Sequence, residues 1–260
     1  MNNNAISTEK GNAAANHKRV LLLDSIRGFA AVNMTIYHAL YDLVYIYLVS
    51  IPWYTGTIGH IWQQAISSTF ILISGAALHY GKNKYKHGLI IFGNAMLLTV
   101  MTTIFLPSQR IVFGILHMLG VSSLIFGALK RFLVKIPDIP GAVLFFLLYM
   151  LTRGVPSGFL GFGKIQFIPL PKWLYSTDFL FPLGLHGSRF YSADYFALIP
   201  WFFLYLAGFY LWGAVKEKIR LKNRNIPILT QAGQNSLLIY MLHQPMTLSI
   251  LFILNKMQMV

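Results

Sequence analysis

The sequence predicts an all-α, polytopic membrane helix bundle of about seven transmembrane helices with a cytoplasmic N-terminus. Three observations carry that expectation. Only 11% of the 260 residues are charged and 56% are hydrophobic, against roughly a quarter charged in an ordinary soluble domain. The mean hydropathy is +0.58, which excludes a water-soluble globule, and the 20 Phe, 14 Tyr and 5 Trp exclude a disordered chain, which never gathers so much apolar surface. Apolar runs near the ~20 residues that cross a bilayer recur at 28–48, 62–80, 88–106, 111–129, 139–152, 195–214 and 235–254.

Residues 1–19 are polar, low in complexity and end in His17-Lys18-Arg19, so they read as a disordered cytoplasmic tail, with 20–260 as one transmembrane domain. No small-residue cleavage site follows the first apolar run, which therefore reads as a retained helix. The second span carries Ser67, Ser68, Thr69 and Ser74-Gly75, small residues that let helices approach closely. The third and fourth are uninterrupted. The fifth is squeezed by Pro137, Pro140 and Arg153 and is short for a crossing. Between it and the sixth lies a long outer loop, 153–194, rich in Gly, Pro and aromatics, and long loops of this kind tend to be binding segments or lids. The seventh contains Pro245, which frees a backbone carbonyl.

Placing the basic residues resolves the +14 net charge. With the N-terminus inside, 14 of the 21 Lys and Arg fall in inner segments, at Lys82, Lys84 and Lys86, at Lys130, Arg131 and Lys135, and at 216–224 among others. Six fall outside and Arg27 sits at the edge. This obeys the positive-inside rule and demands two crossings between 138 and 216, which supports the short fifth span. The charge is thus a topology feature, and no nucleic-acid partner is expected. With no Cys, disulfides, thiolate metal sites and a Cys nucleophile are excluded, and no metal-binding motif appears.

Ionisable residues inside a span cost about 2.5–3.5 kcal/mol each at the centre, so those present need a partner or a wet cavity. The first span holds most of them. Asp24 and Arg27 are three apart and able to pair, and His38 follows Arg27 by eleven residues, ~16 Å along the axis. Asp42, four beyond His38, is placed to accept a hydrogen bond from its ring and orient it. Further polar groups, His117 in the fourth span and Asn235 and His243 in the seventh, are expected to line an interior path. His60 lies at the outer end of the second.

Leu23-Asp24-Ser25-Ile26-Arg27-Gly28-Phe29-Ala30-Ala31 followed by Tyr37-His38 resembles the opening of the transmembrane acyltransferases, in which ten residues separate an Arg and a His. With Phe113-Gly114-Ile115-Leu116-His117-Met118, Asp194, Pro200-Trp201 and Asn235 through Pro245, the set resembles the bacterial branch of the heparan-alpha-glucosaminide N-acetyltransferase-like family, related to the acyltransferase 3 family. The resemblance implies a multi-pass protein of the cell membrane that takes an acyl group, acetyl above all, from cytoplasmic acyl-CoA and delivers it to a cell-surface glycan or small acceptor outside. It implies His38 as the catalytic residue, with Asp42, and Arg27 with Asp24 at the donor. In the lysosomal relative the catalytic His follows the first span, which leaves His60 as an alternative here. Having fewer spans than its better-known relatives, the chain reads as a reduced module, an obligate homo-oligomer or a protein no longer catalytic. The rival class is a non-catalytic export partner or proton-coupled carrier using His38 and Asp42 as a relay, and no inverted repeat is visible to support it.

Overall fold

The computed structural model describes residues 20–220 and 225–257. The predicted tail, together with Lys222 and Arg224 of the basic inner segment, lies outside the described residues. Eight helices of eight residues or more follow one another: α1 (Leu21–Tyr45), then a four-residue turn of helix α2 (Pro52–Thr55), α3 (Thr57–Ala77), α4 (Lys84–Phe105), α5 (Ile115–Leu133), α6 (Asp138–Thr152), α7 (Leu198–Arg220), α8 (Pro227–Gln234) and α9 (Ser236–Lys256). The expected spans map in order onto α1, α3, α4, α5, α6, α7 and α9. Their boundaries move by several residues, because hydropathy marks only the apolar part of a helix whereas backbone hydrogen bonding extends it through polar ends. The first helix thus begins at Leu21 and runs through Asp24 and Arg27. The second begins at Thr57 and the fourth at Ile115.

Five of these helices are long and apolar enough to cross a membrane, α4, α5, α6 extended by a 3-10 turn to Ser157, α7 and α9. The polar side chains of α1 and α3, among them Asp24, Arg27, His38, Asp42, Gln63 and Gln64, dilute their hydropathy. Those two helices compensate by turning their polar groups inward against their neighbours. The short α8 was not anticipated.

One correction concerns the outer loop. It contains a two-stranded antiparallel hairpin, β1 (Phe159–Phe162) and β2 (Ile165–Pro169), within an otherwise helical fold. Gly161 and Gly163 have positive φ there, 151° and 59°, and Gly163 makes the turn that L-residues enter at a cost.

The core forms around α7, which packs on α3, α5 and α6 through Phe126, Phe145, Tyr149, Trp201, Tyr205 and Tyr210. Two close helix approaches depend on glycine. A Cβ on Gly75 would fall on the Tyr205 carbonyl oxygen, and one on Gly208 on that of Leu72, which brings α3 and α7 together. Likewise Gly28 of α1 lies against the Leu229 carbonyl and Gly233 of α8 against that of Asp24. Small residues at such crossings gain dispersion contacts and allow backbone proximity. The Ser25 and Thr230 hydroxyls add a 2.7 Å hydrogen bond across the second crossing.

Around that core, α4 packs chiefly on α5, and α9 on α1. Both carry outward apolar side chains, such as Leu89, Leu97 and Met101 on α4 and Leu242, Met246 and Ile250 on α9, as a lipid-facing surface requires.

Candidate functional site

Because α4 pairs with α5 and α9 with α1, the wedge between the two pairs stays open. A cavity of about 900 Å³ occupies it. Its lining follows α1 from Val20 to Ile46, nearly the whole helix, with contributions from α3, α4, α5 and α9.

The end formed by the start of α1 and the α3–α4 turn is basic. Arg27, Lys82, Lys84, Lys86 and His87 line it, with Asp24. Arg27 donates to Asp24 Oδ1 at 3.1 Å, the pairing the three-residue spacing predicts. Lys84 Nζ donates to the Leu78 and Gly81 carbonyls and ties down the turn, while Asn83 caps α4 by accepting from the Lys86 N–H at 2.9 Å. Lys82 and Lys86 are exposed at the rim.

His38 lines the cavity partway along α1 and makes no hydrogen bond to any described residue. Its ring packs against that of His243, centroids 4.9 Å apart. His243 Nδ1 lies 2.7 Å from the Tyr240 carbonyl oxygen, to which it must donate. That leaves Nε2 as the acceptor nitrogen, buried and without a partner among the described residues.

Asp42 does not orient His38. It is fully buried, and both its oxygens are engaged by α9, Oδ1 by Gln244 Nε2 at 2.7 Å and Oδ2 by the Thr247 hydroxyl at 3.1 Å. Four-residue spacing puts two side chains on one face of a helix but does not decide which neighbour takes their hydrogen bonds, and here the neighbouring helix takes them. Asp42 therefore fastens α9 to α1, which is what places His243 beside His38. Asp42→Ala removes both acceptors, leaves the Gln244 amide N–H unpaired in the interior, and should lower folding stability by about 1–3 kcal/mol, read as a lower melting temperature in detergent.

Three of the residues expected on the path lie outside the cavity lining, and His243 itself is not part of it. His117 sits in the first turn of α5, where Nδ1 accepts from the Gly114 N–H at 3.2 Å and Nε2 faces the Thr99 hydroxyl at 3.2 Å. One nitrogen is spent on the helix start and the other on Thr99 of α4, and the ring is outside the cavity lining. Asn235 stands between α8 and α9, is exposed, and donates to the Gln231 carbonyl of α8 at 2.9 Å, so its neighbours Gln234 and Ser236 line the cavity instead. His60 is exposed in the first turn of α3, also away from the lining.

The end of the cavity opposite the cations holds further polar residues. The Tyr41 hydroxyl donates to Gln109 Oε1 at 3.0 Å. Asp194, at the close of the loop 153–194, lines the cavity. Its Oδ2 accepts from the Tyr240 hydroxyl at 3.2 Å and from the Ile115 N–H at 3.4 Å. Burial raises its carboxyl above the usual carboxylate range, and these two hydrogen bonds pull it partly back. Gln244 lines the same cavity, and its Oε1 is buried with no partner among the described residues. Asp194 stands in the residue set that carries the family resemblance, but a carboxylate in a loop has no periodicity that would have given it partners or a place in the cavity.

The profile of the family described as heparan-alpha-glucosaminide N-acetyltransferase, catalytic, matches residues 19–245. That match takes in every residue that lines the cavity. No curated protein and no solved structure matches the chain.

Proposed function

We propose, from the premise that this chain belongs to the heparan-alpha-glucosaminide N-acetyltransferase catalytic family, that it draws an acetyl group from cytoplasmic acetyl-CoA and passes it through the cavity to a sugar or related acceptor at the outer face. Membership carries acetyltransferase chemistry, and the apolar helices make the chain a multi-pass membrane protein. The observation that supports the route is one cavity whose cations lie at one end and whose His38 lies along its length.

CoA carries several phosphate charges, which cannot enter hydrocarbon and are held at the basic end by Arg27, Lys82 and Lys86. A guanidinium suits a phosphate because its planar fork donates two hydrogen bonds at once. Only the pantetheine arm and the thioester pass inward. The ~16 Å of helical rise between Arg27 and His38 suits an extended arm.

In this reading His38 is the general base. The acceptor nucleophile attacks the thioester carbonyl, the carbon–sulfur bond breaks, and His38 takes the nucleophile's proton and returns it to the departing sulfur. The orienting partner is His243, whose ring packs against that of His38 and whose Nε2 has no partner among the described residues, an acceptor toward which His38 can turn an N–H while its other nitrogen stays basic toward the cavity. This is a base-plus-orienter arrangement with a neutral imidazole in the orienting position.

Acetyl-CoA binding to purified protein in detergent tests the donor end. Arg27→Lys keeps the charge and loses the fork, and should weaken binding by about 1–3 kcal/mol. Arg27→Ala should weaken it further, and the parent's affinity should fall as salt rises. Unchanged affinity in a folded Arg27→Ala protein would sink the donor assignment.

The direction of transfer depends on topology. Seven crossings with an inner N-terminus, supported by the distribution of Lys and Arg, require reporter fusions after Arg224 and after Val260 to fall on opposite sides. Finding both inside would refute seven crossings.

A further inference from the structure

The loop 153–194 brings Asp194 into the cavity, yet none of residues 153–192 lines it, so the β1–β2 hairpin is no wall of the site. It is held in place nonetheless. β1 packs on α6, the Gly154 N–H donates to the Gly161 carbonyl at 2.9 Å, and the Phe159 N–H donates to the Gly154 carbonyl at 3.2 Å. The rest of the ribbon is uncovered. β2 is exposed along its whole length, and Phe162, Ile165, Phe167 and Ile168 leave 43, 60, 63 and 56% of their surface open. A two-stranded ribbon with apolar side chains outward is marginal in water and prone to edge pairing.

The helix before it supplies an independent observation. The 15 residues of α6 rise ~22 Å, about 8 Å less than the ~30 Å hydrocarbon core. Arg153 follows at once, its guanidinium 4.4 Å from the Trp201 ring centroid and 5.6 Å from that of Tyr149, and it donates to Gln64 Oε1. A guanidinium is costly in hydrocarbon, so the apolar crossing made by α6 ends there. Outward, α6 exposes Val143, Leu144, Phe146 and Leu147, as a lipid-facing surface does, and the hairpin fastened to the chain leaving α6 prolongs that surface. Charge points the same way. No Asp or Glu occurs between residues 139 and 177, while Lys164 at the hairpin turn and Lys172 beyond β2 are exposed.

We propose that the β1–β2 hairpin is a membrane anchor, lying at the boundary of headgroups and acyl chains in the leaflet opposite the basic end of the cavity. There its apolar side chains complete the short crossing of α6, and Lys164 and Lys172 meet lipid phosphate. A lysine suits that place because its stem lies on apolar surface while the ammonium reaches the headgroups. The ribbon lies no deeper, since open strand edges do not occur in hydrocarbon. The anchor depends on the membrane-spanning bundle and is independent of the transfer chemistry. Its consequence for the site is mechanical. One end of the loop is pinned to lipid at the hairpin and the other enters the cavity at Asp194.

Because the chain has no Cys, a single introduced cysteine reports one position. Ile165→Cys and Phe167→Cys, each labelled with bimane, are reconstituted as full chains in nanodiscs of phosphatidylethanolamine and phosphatidylglycerol. Leu97→Cys, on the exposed face of α4, is the acyl-chain reference. The hairpin labels should be quenched more strongly by a lipid nitroxide near the top of the acyl chain than by one near its end, and should be protected from iodide. The Leu97→Cys label should respond most to the deep nitroxide. Replacing both lysines, Lys164→Gln with Lys172→Gln, should raise iodide quenching at the hairpin, and an unchanged profile would overturn the phosphate contact. Iodide quenching without nitroxide quenching in the parent background would put the hairpin in water and overturn the anchor. Protection from both quenchers, the signature of a protein cover such as a second copy, would overturn it too, as would iodide quenching that glucosamine relieves, the signature of a sugar platform.

Discussion

A protein carrying His38→Ala should insert, bind acetyl-CoA and melt like the parent, yet lose acetyl transfer by about two to four orders of magnitude, the range a positioned general base supplies. The side chain makes no hydrogen bond to a described residue, so its removal breaks none. Alanine is also apolar and costs nothing in a span. His243→Ala should be milder in the same assay, since it removes the orienting acceptor and leaves the base. His60→Ala should be silent, because that ring is exposed at the start of α3 and lies outside the cavity lining. If His60→Ala is the dead variant and His38→Ala stays active, chemistry belongs at the outer end of α3 and the cavity route is wrong.

Gly233→Val should be the most damaging substitution for the fold. A Cβ at this position falls on the Asp24 carbonyl oxygen, and the partner residue Gly28 is equally tight against Leu229. Both obstacles are helical backbone, so no rotamer change relieves them. Overpacking a closed core costs about 1–3 kcal/mol when side chains can shift, and a backbone obstacle places this variant at or beyond the upper end. The consequence reaches the site, since α8 seats the segment of α1 that carries Asp24 and Arg27. The expected result is a steep fall in detergent melting temperature and in monodisperse yield. Gly93→Ala is the control. Nothing lies within 4 Å of a Cβ there, so it should be neutral or slightly stabilising through better helix propensity. A Gly233→Val protein that melts with the parent would disprove the close α1–α8 crossing.

Some of this was readable in the sequence because the forces involved are local. The order of the long helices follows from runs of apolar residues, since the length of a crossing is set by bilayer thickness. The Asp24–Arg27 pair follows from three-residue spacing on one helix, and the opening Arg and His with the later motifs carried the family. Even the short fifth span was legible, because Pro137 and Arg153 bound it. What spacing could not decide was which helix each polar group would meet. Asp42 shares a helix with His38 but finds Gln244 and Thr247 of α9, 202 and 205 residues away in sequence, and His117 turns back to its own helix start. The same limit hid the partners of Asp194, which the sequence named only within the motif set, and the unpartnered Gln244 Oε1. A hydrogen bond is chosen by distance and angle after the helices have packed, and that packing rests on glycine approaches between α3 and α7 and between α1 and α8. Periodicity within one helix therefore names the polar groups, and only the arrangement of helices assigns their partners.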